Sequence, residues 1–254
     1  MRYFVLALFP PCVISSLRYF VLALFRPCLI SSFRYTGDMT GMIIAIASQK
    51  GGVGKSTLAR LIAREYAAAK WNVKIADLDV SQGTSFNLQA RRLQHEVELV
   101  IAVERFGAFE QALKVASQVD LLILDGPPHS TAGTLKMARA ADVVMLPTGL
   151  SLDDLQPSVL LAHELSAKGV TRDKLAFAFC RVGDSEPELS EARRYITDAG
   201  YRPLSGSIPE KTAYRMASDA GRALTETRFP SLNQRSDELV QSVINLASKL
   251  RRAA

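Results

Sequence analysis

Five apolar runs, at 42–48, 73–79, 119–125, 142–147 and 175–182, are continuously hydrophobic rather than alternating, and stretches with helical spacing follow them, the first at 55–69. A strand with one wet face alternates polar and apolar residues, so continuous runs mark strands covered on both faces. Helices between such strands act as crossovers. The expected fold is therefore α/β: a doubly wound, mostly parallel sheet flanked by helices. Ligands of such sheets sit at the carboxyl ends of the strands, which directs attention to the segments after Ser48, Asp77 and Leu124. With 48% hydrophobic and 22% charged residues in a chain of 254, the composition is that of a folded globular domain, and no Pro/Gly/Ser-rich linker divides 42–254.

The first run leads directly into Lys50-Gly51-Gly52-Val53-Gly54-Lys55-Ser56-Thr57, and a helical pattern opens there. Glycines allow the backbone to wrap closely around phosphates, and the helix N-terminus adds partial positive charge. Lys55 is placed to reach the β and γ phosphates and Ser56 to ligate Mg²⁺, so the segment calls for a nucleoside triphosphate. The third run ends on Asp125, followed by Gly126-Pro127-Pro128. A carboxylate at that point serves the magnesium shell, with helix or turn capping as the bland alternative. No Lys-Asp base-reading segment of the guanine-specific kind is present, which favours ATP.

Lys-Gly-Gly-Val-Gly-Lys-Ser-Thr resembles the deviant Walker A segment of the ParA/MinD family of P-loop ATPases, closest to the ParA-type partition proteins. The resemblance covers about residues 42–225. It implies a Mg²⁺-dependent ATPase that dimerises around ATP, with Lys50 crossing to the partner's phosphates much as an arginine finger does. It implies that Asp125 belongs to the metal shell, and it places Pro209, in Ser207-Ile208-Pro209-Glu210, near the adenine. The family's Asp-x-Asp-Pro-Gln-Gly appears here as Asp77-Leu78-Asp79-Val80-Ser81-Gln82-Gly83, without the proline and with the glutamine one residue later. Asp79 carries over as the residue that assists the attacking water, with capping of the following turn as the competing role. Asp77 reads as structural or as an outer partner of the site residues.

Family relatives use different surfaces. ParA-like proteins bind nonspecific DNA as ATP dimers and answer to a ParB-like stimulating partner; MinD-like proteins use membrane through a C-terminal amphipathic helix. Lys211, Arg215 and Arg222 follow at spacings that suit one face of a helical stretch, which suggests a DNA surface, against the alternative of a solvated face. The segment 237–252 places Leu239, Val240, Val243, Ile244, Ala247 and Leu250 on one stripe. Lacking Phe and Trp, with cations only at its end, it suits packing onto the domain better than a bilayer, so no stable membrane insertion is expected. The expected location is cytoplasmic and nucleoid-associated. A positioning ATPase for another cargo, or a nucleotide-gated regulatory module that turns over negligibly, would share these motifs.

Residues 1–38 stand apart. Residues 2–17 recur at 18–33 with 13 of 16 positions identical, and Arg2, Arg18, Arg26 and Arg34 against Asp38 supply half of the net charge of +6. Near-identity over two copies fits a recent DNA duplication read in frame, with the working start at Met39 or Met42, rather than a repeat architecture. The competing readings are an export signal, which Arg2 before an apolar run superficially resembles, and a membrane anchor; Pro10-Pro11 and Arg18 interrupt the run well short of the roughly 20 residues of a span, so the head is expected to be disordered or a mis-assigned start. The domain proper is expected over 39–254. Cys12, Cys28 and Cys180 show no metal-ligand spacing and suit a reducing compartment. His95, His129 and His163 are scattered and carry no assigned chemistry.

Overall fold

The computed structural model describes residues 41–79, 82–128 and 131–253; the repeat head lies outside them. Among these residues eight strands form the sheet: β1 (Met42–Ile46), β2 (Val73–Asp77), β3 (Ala102–Arg105), β4 (Leu121–Asp125), β5 (Val143–Thr148), β6 (Leu175–Val182), β7 (Arg202–Pro203) and β8 (Ile208–Pro209). Their order is β3-β2-β4-β1-β5-β6-β7, with β8 also on β6, and the pairings are parallel. The reversal of strand order on either side of β1 makes the carboxyl end of β1 the switch point of the sheet.

The helices are α1 (Lys55–Ala68), α2 (Thr84–Gln94), α3 (Phe109–Leu113), α4 (Thr131–Ala140), α5 (Leu152–Ala167), α6 (Glu186–Asp198), α7 (Thr212–Asp219) and α8 (Pro230–Ala253). They form two layers. On one face, α1 and α8 pack Leu58, Leu61, Ile62, Leu239, Val243 and Ile244 onto Ile44, Ile46, Ile75 and Ile123. On the other, α4, α5 and α6 pack Met137, Leu155, Leu161, Leu165 and Ile196 onto Leu122, Leu124, Leu146 and Phe177. Both faces of β4 are thus consumed, and all five of its residues are buried. That is the physical origin of its unbroken apolar run.

The C-terminal stripe behaves as packing predicts: Leu239, Val240, Val243, Ile244 and Ala247 are buried, and Leu250 packs against the same cluster. The helix begins at Pro230, earlier than the stripe, because proline is well tolerated in a first turn. Among the described residues no helix is long and apolar enough to cross a membrane.

Candidate functional site

The loop after β1 turns into α1 at Gly54, whose φ of 100° is a left-handed conformation that L side chains rarely adopt. A Cβ there would also lie 3.1 Å from Cβ of Cys180 on β6. Glycine is therefore demanded twice at this position. Gly52, with φ of 76°, offers its carbonyl to Nη1 of Arg181 at 3.1 Å. Arg181 is itself left-handed (φ 58°) and also donates from Nε to Glu210 Oε2 at 2.9 Å, just past Pro209 on β8. A backbone conformation this costly, held beside a glycine loop, is typical of functional sites. Pro209, which pairs with Val182 at the end of β6, is buried at this same edge of the loop.

Lys55 opens α1 and is buried; Nζ donates to the Lys50 carbonyl at 3.3 Å. Burial lowers its pKa, while the negative charges of Asp125 and Asp79 support the ammonium. Ser56 lies beside the Asp125 carboxylate, and Thr57 Oγ1 accepts from Arg60 Nη2 at 3.2 Å. Arg60, one turn further, also donates to the Ser56 carbonyl at 2.8 Å, and burial lowers its pKa to about 10. It sets a buried positive charge beneath the two acids, Asp125 and Asp77.

Those acids are brought together by strand register. Asp125 on β4 is aligned with Asp77 on β2 and Ile46 on β1. Asp125 is 1% exposed, and burial pushes its pKa to about 6. Its Oδ2 accepts from Ser85 Oγ at 2.7 Å, whereas Oδ1 has no hydrogen-bond partner among the described residues. An unpaired buried oxygen costs on the order of 1–3 kcal/mol, and a cation relieves that cost. With the Ser56 hydroxyl alongside, the donors are hard oxygens of the kind magnesium takes, so these two residues fit the ion.

Asp79 Oδ1 accepts from the Gln82 amide at 3.2 Å, and its carbonyl from Gly83 at 2.8 Å. The turn-capping role is thus present, and the carboxylate acts electrostatically on Lys55 as well. Lys50 Nζ reaches the N-terminus of α5, bonding the Asp153 carbonyl at 2.9 Å and Asp154 Oδ1 at 2.6 Å. The site residues missed by motif reading are Arg60, Ser85, Asp154 and Arg181; each joins through a tertiary contact that carries no local sequence signal.

The basic residues do not form the expected single face. Helix α7 ends at Asp219, and Gly221 (φ 71°) turns the chain before Arg222. Lys211 is bound to both oxygens of Asp184, at 2.9 and 2.7 Å, and Arg215 to Glu210 at 2.6 Å. Arg222 makes no ion pair among the described residues and lines a groove of about 390 Å³ with Met216, Arg228 and Phe229.

Strand order, the glycine loop at the switch point and the paired acids define a P-loop nucleotide-binding protein. Residues 44–224 match the family described as the CobQ/CobB/MinD/ParA nucleotide binding domain, and the chain belongs to that ParA/MinD family. The chain is 27% identical over 188 residues to the maintenance of carboxysome distribution protein A of Gloeobacter kilaueensis, covering 73% of this chain and 85% of that protein. It is 29% identical over 174 residues to the chromosome partitioning protein ParA of Myxococcus xanthus, covering 52% and 62%. Among solved structures it resembles the septum site-determining protein MinD of Pyrococcus horikoshii complexed with Mg-ADP, with a TM-score of 0.65, 17% identity and coverage of 83% and 98%.

Proposed function

We propose that the protein is a Mg-ATP-dependent ATPase of the ParA type that dimerises around ATP, binds nonspecific DNA and drives plasmid or chromosome partition with a ParB-like stimulating partner. The observation that carries the ATPase reading is Asp125: a buried carboxylate with one oxygen unpartnered among the described residues, beside Ser56 and close enough to Lys55 to support its charge. Lys55 holds the β and γ phosphates, and the backbone of Gly51, Gly52, Val53 and Gly54 with Ser56 and Thr57 cradles them. Ser56 and Asp125 would hold magnesium, which would supply positive charge beside the phosphates. Asp79 orients the attacking water, and Pro209 borders the adenine. Lys50 leaves Asp154 to reach the phosphates of a second copy, which links nucleotide state to dimerisation.

The DNA surface of this reading rests most on Arg222, since Lys211 and Arg215 are engaged by Asp184 and Glu210, carboxylates they share with Arg235 and Arg181. That pairing of two of the three basic side chains favours a second reading, a positioning ATPase of the MinD-like class that works on another cargo over a protein scaffold. The packed stripe of α8 argues against bilayer insertion through that helix. DNA binding by the full chain with ATP, ADP or no nucleotide, at two salt concentrations, tests the choice. Partition on DNA requires ATP-dependent binding that weakens with salt. Binding that is absent in every nucleotide state would leave the scaffold reading.

A further inference from the structure

The free oxygen of Asp125 is set by a residue from outside the glycine loop. Ser85, second residue of α2, is fully buried, and its Oγ donates to Asp125 Oδ2 at 2.7 Å. Its own position is fixed independently of that hydroxyl. Asp77 Oδ2 accepts from the backbone amides of Ser85 and Phe86, both at 3.1 Å, so a carboxylate from β2 caps a helix whose N-cap, Gly83, has no side chain. At the far end of α2, Arg92 donates to Glu226, to the Gly221 carbonyl and to the carbonyls of Glu98 and Leu99. Helix α2 is thus pinned at both ends by groups that do not involve the serine hydroxyl.

With Oδ2 taken by Ser85, Oδ1 is the oxygen left for a cation. We propose that Ser85 is a positioning residue for the magnesium site: its hydroxyl fixes the rotation of the Asp125 carboxylate, and through it the Mg²⁺ affinity of the ATP-bound protein. The proposal rests on the Mg-ATP reading above. Partners that orient a metal ligand are expected to affect metal binding specifically, because they act on the geometry and basicity of the ligand rather than on the remaining contacts of the nucleotide.

The test is equilibrium binding of a fluorescent ATP analogue to the full chain, titrated with Mg²⁺ and repeated in EDTA. Removing an outer partner of a metal ligand weakens metal binding by about 10- to 100-fold, so Ser85→Ala raises half-saturating Mg²⁺ by at least about tenfold while metal-free nucleotide affinity stays within about twofold. Ser85→Thr, which keeps the hydroxyl, remains within about threefold of wild type in Mg²⁺ dependence. An unchanged Mg²⁺ dependence in Ser85→Ala overturns the proposal, as does an equal loss with and without metal, which marks a structural role. If wild type binds no nucleotide in either condition, the underlying reading falls with it, and that outcome is distinct from the other two.

Discussion

Lys50 Nζ lies 2.6 Å from Asp154 Oδ1, at the first turn of α5 in the same chain. The ammonium that would serve a second copy is held at home by a pair whose members are 39% and 27% exposed. Burial works the other way, yet the bonds from Lys50 and Ser151 hold the Asp154 pKa below its usual range. Partly exposed pairs of this kind contribute about 0.2–1 kcal/mol, a restraint weak enough to be broken on dimerisation. Asp154→Asn should therefore change unfolding free energy by less than about 1 kcal/mol, while ATP-dependent dimers form at lower protein concentration in sedimentation. Dimerisation that ignores the substitution would show that this pair does not restrain the lysine.

The raised pKa of Asp125 gives a pH dependence of definite sign. Its pKa rises from 3.8 to about 6 because burial penalises the charge. The folded value lies above the unfolded one, so this group favours the folded state at low pH, and that contribution is lost as pH rises through about 6. Metal-free protein, unfolded with urea, should gain stability from Asp125 as pH falls from 7 towards 4, and Asp125→Asn should flatten that gain. Metal binding requires the ionised carboxylate, so Mg²⁺ affinity should fall in the same window. Calorimetry in buffers of different ionisation enthalpy would detect the proton released on Mg²⁺ binding near pH 6.

Glu226 joins three elements. It accepts from Arg92 Nη1 at 2.6 Å and from Arg64 Nε at 3.2 Å, and its second role is to cap the Ala223 amide at 2.7 Å. Arg92 is 2% exposed, so Glu226→Gln leaves its guanidinium bonded to the carbonyls of Gly221, Glu98 and Leu99 but without a counter-charge. Removing one member of a buried pair costs about 3–5 kcal/mol. Urea unfolding should show a loss of that size in Glu226→Gln; a loss below about 1 kcal/mol would place the network in the weak surface class instead.

On the DNA reading, each phosphate contact contributes a slope of roughly −0.9 to the log–log salt dependence. Arg222→Ala should reduce the slope by about one contact, whereas Lys211→Ala, already bound to Asp184, should change it little. The reverse ranking would move the DNA surface to the N-terminal end of α7.

Legibility in the sequence followed burial. β1, β2, β4, β5 and β6 read directly as apolar runs because helices cover both faces, while β3, with Glu104 and Arg105 exposed at the sheet edge, gave no such signal. β7 and β8 are two residues each, too short for any periodicity. The placement of the glycine loop after β1 and of Asp125 at the end of β4 was legible because both follow directly from apolar runs. Asp77 was read as structural, and it caps α2; Ser85 was not legible, since its role depends on β2 and β4 aligning in register and on α2 returning over both strands. The helical face expected for Lys211, Arg215 and Arg222 failed because Gly221 ends the turn before the third residue.

Single-turnover hydrolysis of radiolabelled Mg-ATP by wild type, Lys55→Ala and Asp79→Ala tests the central claim most directly. The ATPase reading predicts phosphate release by wild type, loss of nucleotide binding or turnover in Lys55→Ala, and bound but unhydrolysed ATP in Asp79→Ala. Binding without hydrolysis in wild type and Asp79→Ala alike would contradict it and mark the protein as a nucleotide-gated binding module.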